Sequence, residues 1–305
     1  MKAATGRRVR LELEGCNLSF RWATRCTFGL AAILAAAPPQ RIVSVSPVET
    51  EILYGIGAFD KVVAVTEYCV YPPEAKALPK VGGWATPSVE KVASFHPDLV
   101  AFSEAQAPFL EDQLKQLGIH TVLAPSQTIQ DAFTAIAELG RATGHERQAV
   151  ELAAKTRAGL DAVRKRAAGL RHPTVLIIVD RTPGTLRDMY AALPNSFLAE
   201  LTEIAGGKIV PATSGTGYGK ISVEAVLATN PDIVLDVMAS PQNGTDPDPE
   251  APWREIPELN AVRHGGVHTV RDFFVPHDSQ MIAKTAVVFA RLLHPEVPAR
   301  EWEAH

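Results

Sequence analysis

The stretch Ser88-Val-Glu-Lys-Val-Ala-Ser-Phe-His-Pro-Asp-Leu-Val100 returns 134 residues later as Ser222-Val-Glu-Ala-Val-Leu-Ala-Thr-Asn-Pro-Asp-Ile-Val234. Seven of the thirteen positions are identical and no gap is needed. Each copy reads as a short helix capped by its serine, with a glutamate in the first turn, where the helix dipole favours negative charge. Pro-Asp then turns the chain into an apolar strand. One supersecondary unit used twice predicts two similar halves.

The surroundings of both copies agree. Strands are expected at Arg41–Ser46, Lys61–Thr66, Asp98–Ser103 and His120–Ala124, then at Thr174–Asp180, Asp232–Val237 and His268–Arg271. Helical spacing marks Glu49–Gly57, Phe109–Leu117, Ile129–Thr143, Phe197–Ala205 and Gln280–Leu293. This alternation predicts an α/β protein of two Rossmann-like lobes, with parallel sheets covered by helices on both faces. Residues 145–169 break the rhythm: they hold no proline, and their apolar positions recur at helical spacing. At 1.5 Å per residue such a helix spans about 37 Å, too long for a crossover within a small sheet. It is expected to be a rigid connecting rod. The organisation is then an N-terminal lobe at 40–143, a backbone helix at 144–170 and a C-terminal lobe at 171–305.

Composition sets the class. A chain of 305 residues, 46% hydrophobic and 21% charged, can fold and fill two lobes. No window reaches the roughly 18–20 apolar residues of a membrane span. A net charge of −4 argues against a nucleic-acid binder. Residues 1–37 nevertheless carry Lys2, Arg7, Arg8, Arg10, Arg21 and Arg25 against Glu12 and Glu14. The apolar run Cys26–Ala37 follows, ending in three alanines, so residues 1–37 read as an export signal and the product as a soluble periplasmic protein. Cys16 and Cys26 fall in that leader without the apolar and small residues that precede a lipid anchor, and Cys69 alone remains, which excludes an internal disulfide.

Enzyme signatures are weak. There is no Gly-x-Ser-x-Gly elbow, and Ser214–Lys220 lacks the first glycine and the final Ser/Thr of a phosphate loop. Asp246, Asp248 and Glu250 alternate with prolines, which does not suit a calcium loop. The nine histidines form no zinc-type pair. No cofactor and no resident metal are expected.

Binding signatures are stronger. Aromatics make up only 7% of the chain, yet Tyr68, Tyr71, Trp84, Tyr190, Tyr218 and Phe273-Phe274 sit at strand ends or loops, where open α/β sheets bind ligands. Together they predict a cleft for a large, flat, partly apolar ligand, with Arg181 helping to orient it. His277 could meet a metal centre or cap a turn, and Tyr68 or Tyr71 could offer a phenolate to ferric iron. Glu90 and Glu224 occupy matching places in the two lobes and would make a symmetric docking pair for a two-fold partner.

From Arg41 to Leu293 the chain resembles the helical-backbone metal-chelate receptors, the type III periplasmic binding proteins. The resemblance rests on Arg41-Ile-Val-Ser-Val-Ser-Pro-Val-Glu-Thr-Glu, Thr66-Glu-Tyr-Cys-Val-Tyr-Pro-Pro-Glu-Ala, Val81-Gly-Gly-Trp, Pro87-Ser-Val-Glu and the two Pro-Asp-(Leu/Ile)-Val strands. It implies two lobes on one long helix and delivery of a metal chelate to the permease dimer of an ABC importer. It places Tyr68, Trp84 and Phe273 at the ligand, Tyr190 and Tyr218 less directly, and makes Glu90 and Glu224 the pair that meets permease arginines. A monomer suffices. Phe273 stands where the vitamin B12 receptors carry tryptophan, and Phe102-Ser103 lacks the tryptophan a corrin would want. Corrinoid, haem and ferric siderophore all stay open, with Tyr68-Cys69 leaning to corrinoid. Two rivals are a two-lobed enzyme such as a metal chelatase, using Asp180, Asp236 or His277, and a cytosolic chelate sensor if the leader is retained.

Overall fold

The computed structural model describes residues 37–211, 215, 217–237 and 247–303. The expected leader, apart from Ala37, lies outside them, as do Ser214 and Thr216 of the glycine-rich turn and Asp246 of the acidic loop.

The first sheet contains β1 (Ile42–Ser44), β2 (Val62–Val65), β3 (Leu99–Ser103) and β4 (Thr121–Ala124). Its order is β2-β1-β3-β4, all parallel. The intervening helices are α1 (Pro47–Gly55), α2 (Val89–Ser94) and α3 (Ala107–Gln116). β1 and β3 are wholly buried, each an apolar run closed by a serine, as strands covered on both faces must be.

Two helices then lead away from the sheet: α4 (Ile129–Thr143) and α5 (Glu146–Ala167). A reciprocal capping box between Thr128 and Asp131 starts α4, and Gly144, left-handed at φ 73°, ends it. The 22 residues of α5 run about 33 Å. Ala149, Thr156, Leu160, Val163 and Ala167 form its buried stripe, while Glu146 in the first turn and Arg164, Lys165 and Arg166 in the last complement the helix dipole. Where α4 meets α5, a side chain on Gly140 would come within 2.4 Å of the Ala149 Cβ, so the close crossing requires glycine.

The second lobe contains β5 (Thr174–Asp180), β6 (Tyr190–Ala192), α6 (Phe197–Ile204), β7 (Lys208–Ile209), β8 (Tyr218–Lys220), α7 (Val223–Thr229), β9 (Ile233–Val237), α8 (Ala251–Arg254), α9 (Asn260–Arg263), β10 (Val267–Val270) and α10 (Ile282–Leu293). β7, β5, β9 and β10 are parallel in that order, which repeats β2-β1-β3-β4 of the first lobe. The sheet is nevertheless mixed, not parallel throughout as the sequence suggested: β6 pairs antiparallel with the end of β5, and β8 antiparallel with β6. Only nine residues separate β5 from β6, too few for a parallel crossover. They fold back through a turn in which Thr182 N–H donates to the Arg187 carbonyl.

The sequence repeat is a structural repeat. α2 with β3 and α7 with β9 are its two copies, and His96 and Asn230, at matching places, both adopt left-handed φ (47° and 42°). A continuous apolar core runs from Ile42 and Ile52 through Ile136, Leu160 and Val163 to Phe289 and Leu293, so the described residues from Pro38 onward pack as a single unit. Each such side chain contributes about 1.5–3 kcal/mol on burial.

Candidate functional site

In parallel α/β units the helices begin at the edge where the strands end, and that edge collects the loops. In the first lobe it collects Tyr68, Trp84 and the start of α3. Trp84 and Phe109 are 36% and 43% exposed and meet edge to face at 6.3 Å. Tyr68 completes the corner: a side chain added at Gly83 would lie 3.6 Å from its ring. Buried Gln106 ties the corner to the sheet. Its Nε2 donates to the carbonyls of Trp84 and Val45, both at 2.8 Å, and its Oε1 accepts from Ser103 N–H.

In the second lobe β6 faces β8 with Tyr190 opposite Lys220 and Ala192 opposite Tyr218. Strand alternation therefore puts Tyr190, Tyr218 and Lys220 on one face. Lys220 Nζ lies 5.6 Å from the Tyr190 ring centre. Tyr218 is 42% exposed. Desolvation, then the charge of Asp278, pushes its phenol up, so it stays neutral and can donate a hydrogen bond.

The lobes meet at a polar and aromatic seam. From α1 of the first lobe, the Glu51 carboxylate accepts His277 Nδ1–H at 2.7 Å and the Ser279 hydroxyl, and its carbonyl accepts Gln280 Nε2–H at 2.7 Å. Tyr71 stacks on Phe273 at 6.0 Å, Tyr54 abuts Tyr71, and His277 meets the edge of Phe273 at 6.4 Å. Two further carboxyls lie behind this contact. Among the described residues, neither oxygen of buried Glu49 has a partner within hydrogen-bond geometry, nor has Oδ2 of Asp278. Desolvation pushes both groups up to about 7; the Ser46 hydroxyl tempers Glu49 while the charges of Asp278 and Glu51 add to its rise, and its own backbone and His277 temper Asp278 while Asp131 and Glu51 add to its rise.

The structure thus gathers Tyr68 and Trp84 in one corner, Tyr190 and Tyr218 on one strand pair, and Phe273 and His277 at the seam. It corrects the expectation for Arg181. That side chain is 2% exposed and wholly engaged within its own lobe: Nε donates to Asp236 at 2.8 Å, and its terminal nitrogens donate to the carbonyls of Thr185 and Pro249. Trp253 Nε1–H also donates to Asp236. A guanidinium committed to a buried carboxylate cannot turn to a ligand. The same pairing removes Asp236 as an acid/base candidate. His277 has its Nδ1 committed to Glu51, and among the described residues no group of three or more His, Cys, Asp or Glu side chains is arranged to hold a metal.

Glu90 and Glu224 are exposed in the first turns of α2 and α7. Ser88 and Ser222 cap these helices by accepting from Lys91 and Ala225 N–H, both at 3.3 Å. Ser88 also donates to Glu90, and the Ser222 hydroxyl and its own amide hold the Glu224 carboxyl below its usual range.

Sequence reasoning missed Phe109 as a site residue, taking it as one helical apolar position. Pro108 just before it was the available signal, because proline favours the first helical turn and so places Phe109 at the sheet edge. Asp278 left no signal, since nothing local marks a residue that becomes buried against the other lobe.

A family model described as periplasmic binding protein matches residues 42–272. The chain is 31% identical over 266 residues to the uncharacterized ABC transporter substrate-binding lipoprotein YvrC of Bacillus subtilis, covering 85% of this chain and 81% of that one. Its fold is similar to the periplasmic vitamin B12 binding protein of Vibrio cholerae, with a TM-score of 0.72 at 24% identity over 87% of this chain and 99% of the other. It is also similar to a periplasmic heme binding protein of Pseudomonas aeruginosa, with a TM-score of 0.74 at 20% identity over 85% and 94%. No helix among the described residues is long and apolar enough to cross a membrane.

Proposed function

This chain belongs to the periplasmic binding protein family, and we propose that it is the exported substrate-binding component of an ABC importer, taking a metal chelate between its lobes. The observation that carries this reading is the collection of Tyr68, Trp84 and Phe109 at the strand-end edge of one sheet, with Tyr190 and Tyr218 on one face of the other lobe. Stacking on such rings, each contact supported by buried apolar area, provides affinity without a covalent bond to the metal. Corrinoid is the favoured cargo, with haem and ferric siderophore as alternatives. The relatives named for vitamin B12 and heme support a flat macrocycle. The protein carries out no catalytic step in this reading, and the chelate is cargo.

Glu90 and Glu224 are the proposed contacts with a two-fold permease. They stand on equivalent helices of topologically equivalent lobes, each exposed and each beside its serine cap. The test is a titration of the purified protein with cyanocobalamin, haemin and a ferric hydroxamate, following tryptophan fluorescence. Saturable quenching by one chelate, lost in Trp84→Ala, supports the receptor. No quenching by any of the three, together with unchanged thermal stability in their presence, refutes it.

A further inference from the structure

In the parallel part of each sheet the strand order reverses at one place, and ligands of open α/β sheets bind in the crevice there. In the first lobe this place lies between β1 and β3; in the second it lies between β5 and β9. The second crevice is filled from within by Arg181, Asp236 and Trp253, none more than 2% exposed and all joined by hydrogen bonds. At the first, one buried amide side chain, Gln106, spans from the end of β3 to the Val45 carbonyl beyond β1. Its second bond holds the Trp84 carbonyl. Phe109 stands three residues after Gln106, in the opening turn of α3.

Trp84, whose carbonyl Gln106 holds, and Phe109 are thus two large exposed rings in contact at an interplanar angle of 71°. Leaving both in water sacrifices apolar burial that a folded chain normally takes. Two rings near a right angle form an inside corner: one face stacks on a flat ligand while the other ring bounds the ligand's rim. Such a corner discriminates by shape, because a planar macrocycle fills it and a globular hydroxamate complex touches it at a point.

We propose that Phe109, packed edge to face against Trp84, is a ligand-contacting residue that selects planar macrocyclic chelates over non-planar ones. The inference rests on the receptor reading and narrows its ligand class.

The test measures Kd for haemin, cobinamide and a ferric hydroxamate on the wild-type protein, Phe109→Ala and Phe109→Leu, using fluorescence of the retained Trp84. Loss of Phe109 weakens a planar macrocycle about tenfold or more, as deletion of a stacked ring should, and Phe109→Trp restores it. Phe109→Leu, apolar but not flat, recovers only part. Thermal unfolding of each variant stays at the wild-type temperature, as befits a residue 43% exposed. A macrocycle that binds Phe109→Ala as tightly as the wild-type protein overturns the inference and leaves the receptor reading standing. Preferred binding of the hydroxamate by the wild-type protein also overturns it. If no chelate binds the wild-type protein, both fall, and that result is read before any variant is made.

Discussion

Asp98 and Asp232, 134 residues apart, fasten the first strand of each lobe in the same way. Asp98 accepts the Arg41 and Gln40 amides, both at 2.9 Å; Asp232 accepts the Thr174 amide and hydroxyl, both at 2.9 Å. The register matches as well, since Ile42 lies opposite Leu99 and Val175 opposite Ile233. The repeated Pro-Asp is therefore both a turn and a clamp between neighbouring strands.

Replacing Asp232 by alanine should cost about 1–3 kcal/mol, because the Thr174 amide and hydroxyl lose their acceptor in a half-buried place. Asp98→Ala should cost less, since water can reach the amides it leaves. Urea unfolding of both variants checks the order, and an Asp98 variant weaker than the Asp232 variant would contradict it.

Stability should fall as pH rises through about 7. Glu49 and Asp278 have carboxyls pushed up to about 7 in the folded protein, chiefly by desolvation, against ordinary values of 4.5 and 3.8. Groups raised on folding stabilise fully below their unfolded pKa, and that stability is lost as pH climbs through the folded value. The loss from about pH 5 to pH 8 should be on the order of 5 kcal/mol. Glu49→Gln with Asp278→Asn should flatten the profile in thermal unfolding. A wild-type profile that rises over this range would show these carboxyls to be ionised.

Arg181 and Asp236 should behave as a buried pair. Arg181→Met alone leaves an uncompensated carboxylate at a site with side chains 0% and 1% exposed, and should destabilise by about 3–5 kcal/mol. Arg181→Met with Asp236→Leu should cost less than either change alone. Denaturant midpoints of the three variants decide this. Chelate affinity of the folded fraction should not change, and a specific loss of binding in Arg181→Met would return the guanidinium to the ligand.

Charge reversal at Glu90 and Glu224 should leave chelate affinity unchanged and abolish stimulation of the partner permease's ATPase, with each single variant partly impaired. Both carboxylates stand free of the core, so thermal unfolding should stay within about 1 °C of wild type, as for surface substitutions generally. Full stimulation by the double variant would remove the docking role.

The fold was largely legible along the chain. The α4 helix begins and ends where its periodicity and caps place it, at Ile129 and Thr143, and α5 falls within the proline-free stretch. β5 matches its apolar run, Thr174–Asp180. The short strands β6, β7 and β8 escaped, because two or three residues carry no period and gain their bonds only by pairing with β5 or, for β8, with β6. Of the site, exposed rings at strand ends could be nominated from their neighbours in sequence. Arg181 was misassigned on the same reasoning: its place after β5 suggested the cleft, whereas Asp236, 55 residues on, holds it inside.

Local chemistry thus specifies the doubled α/β unit, its caps, its clamps and the connecting helix, because period, capping and turn preferences act within a few residues. Tertiary structure alone selects which crevice is plugged by Arg181 and Trp253, which rings stay exposed beside Gln106, and that Glu49 and Asp278 become buried acids. Those outcomes depend on desolvation and on partners brought from other elements. Neither is encoded in the residues that flank them.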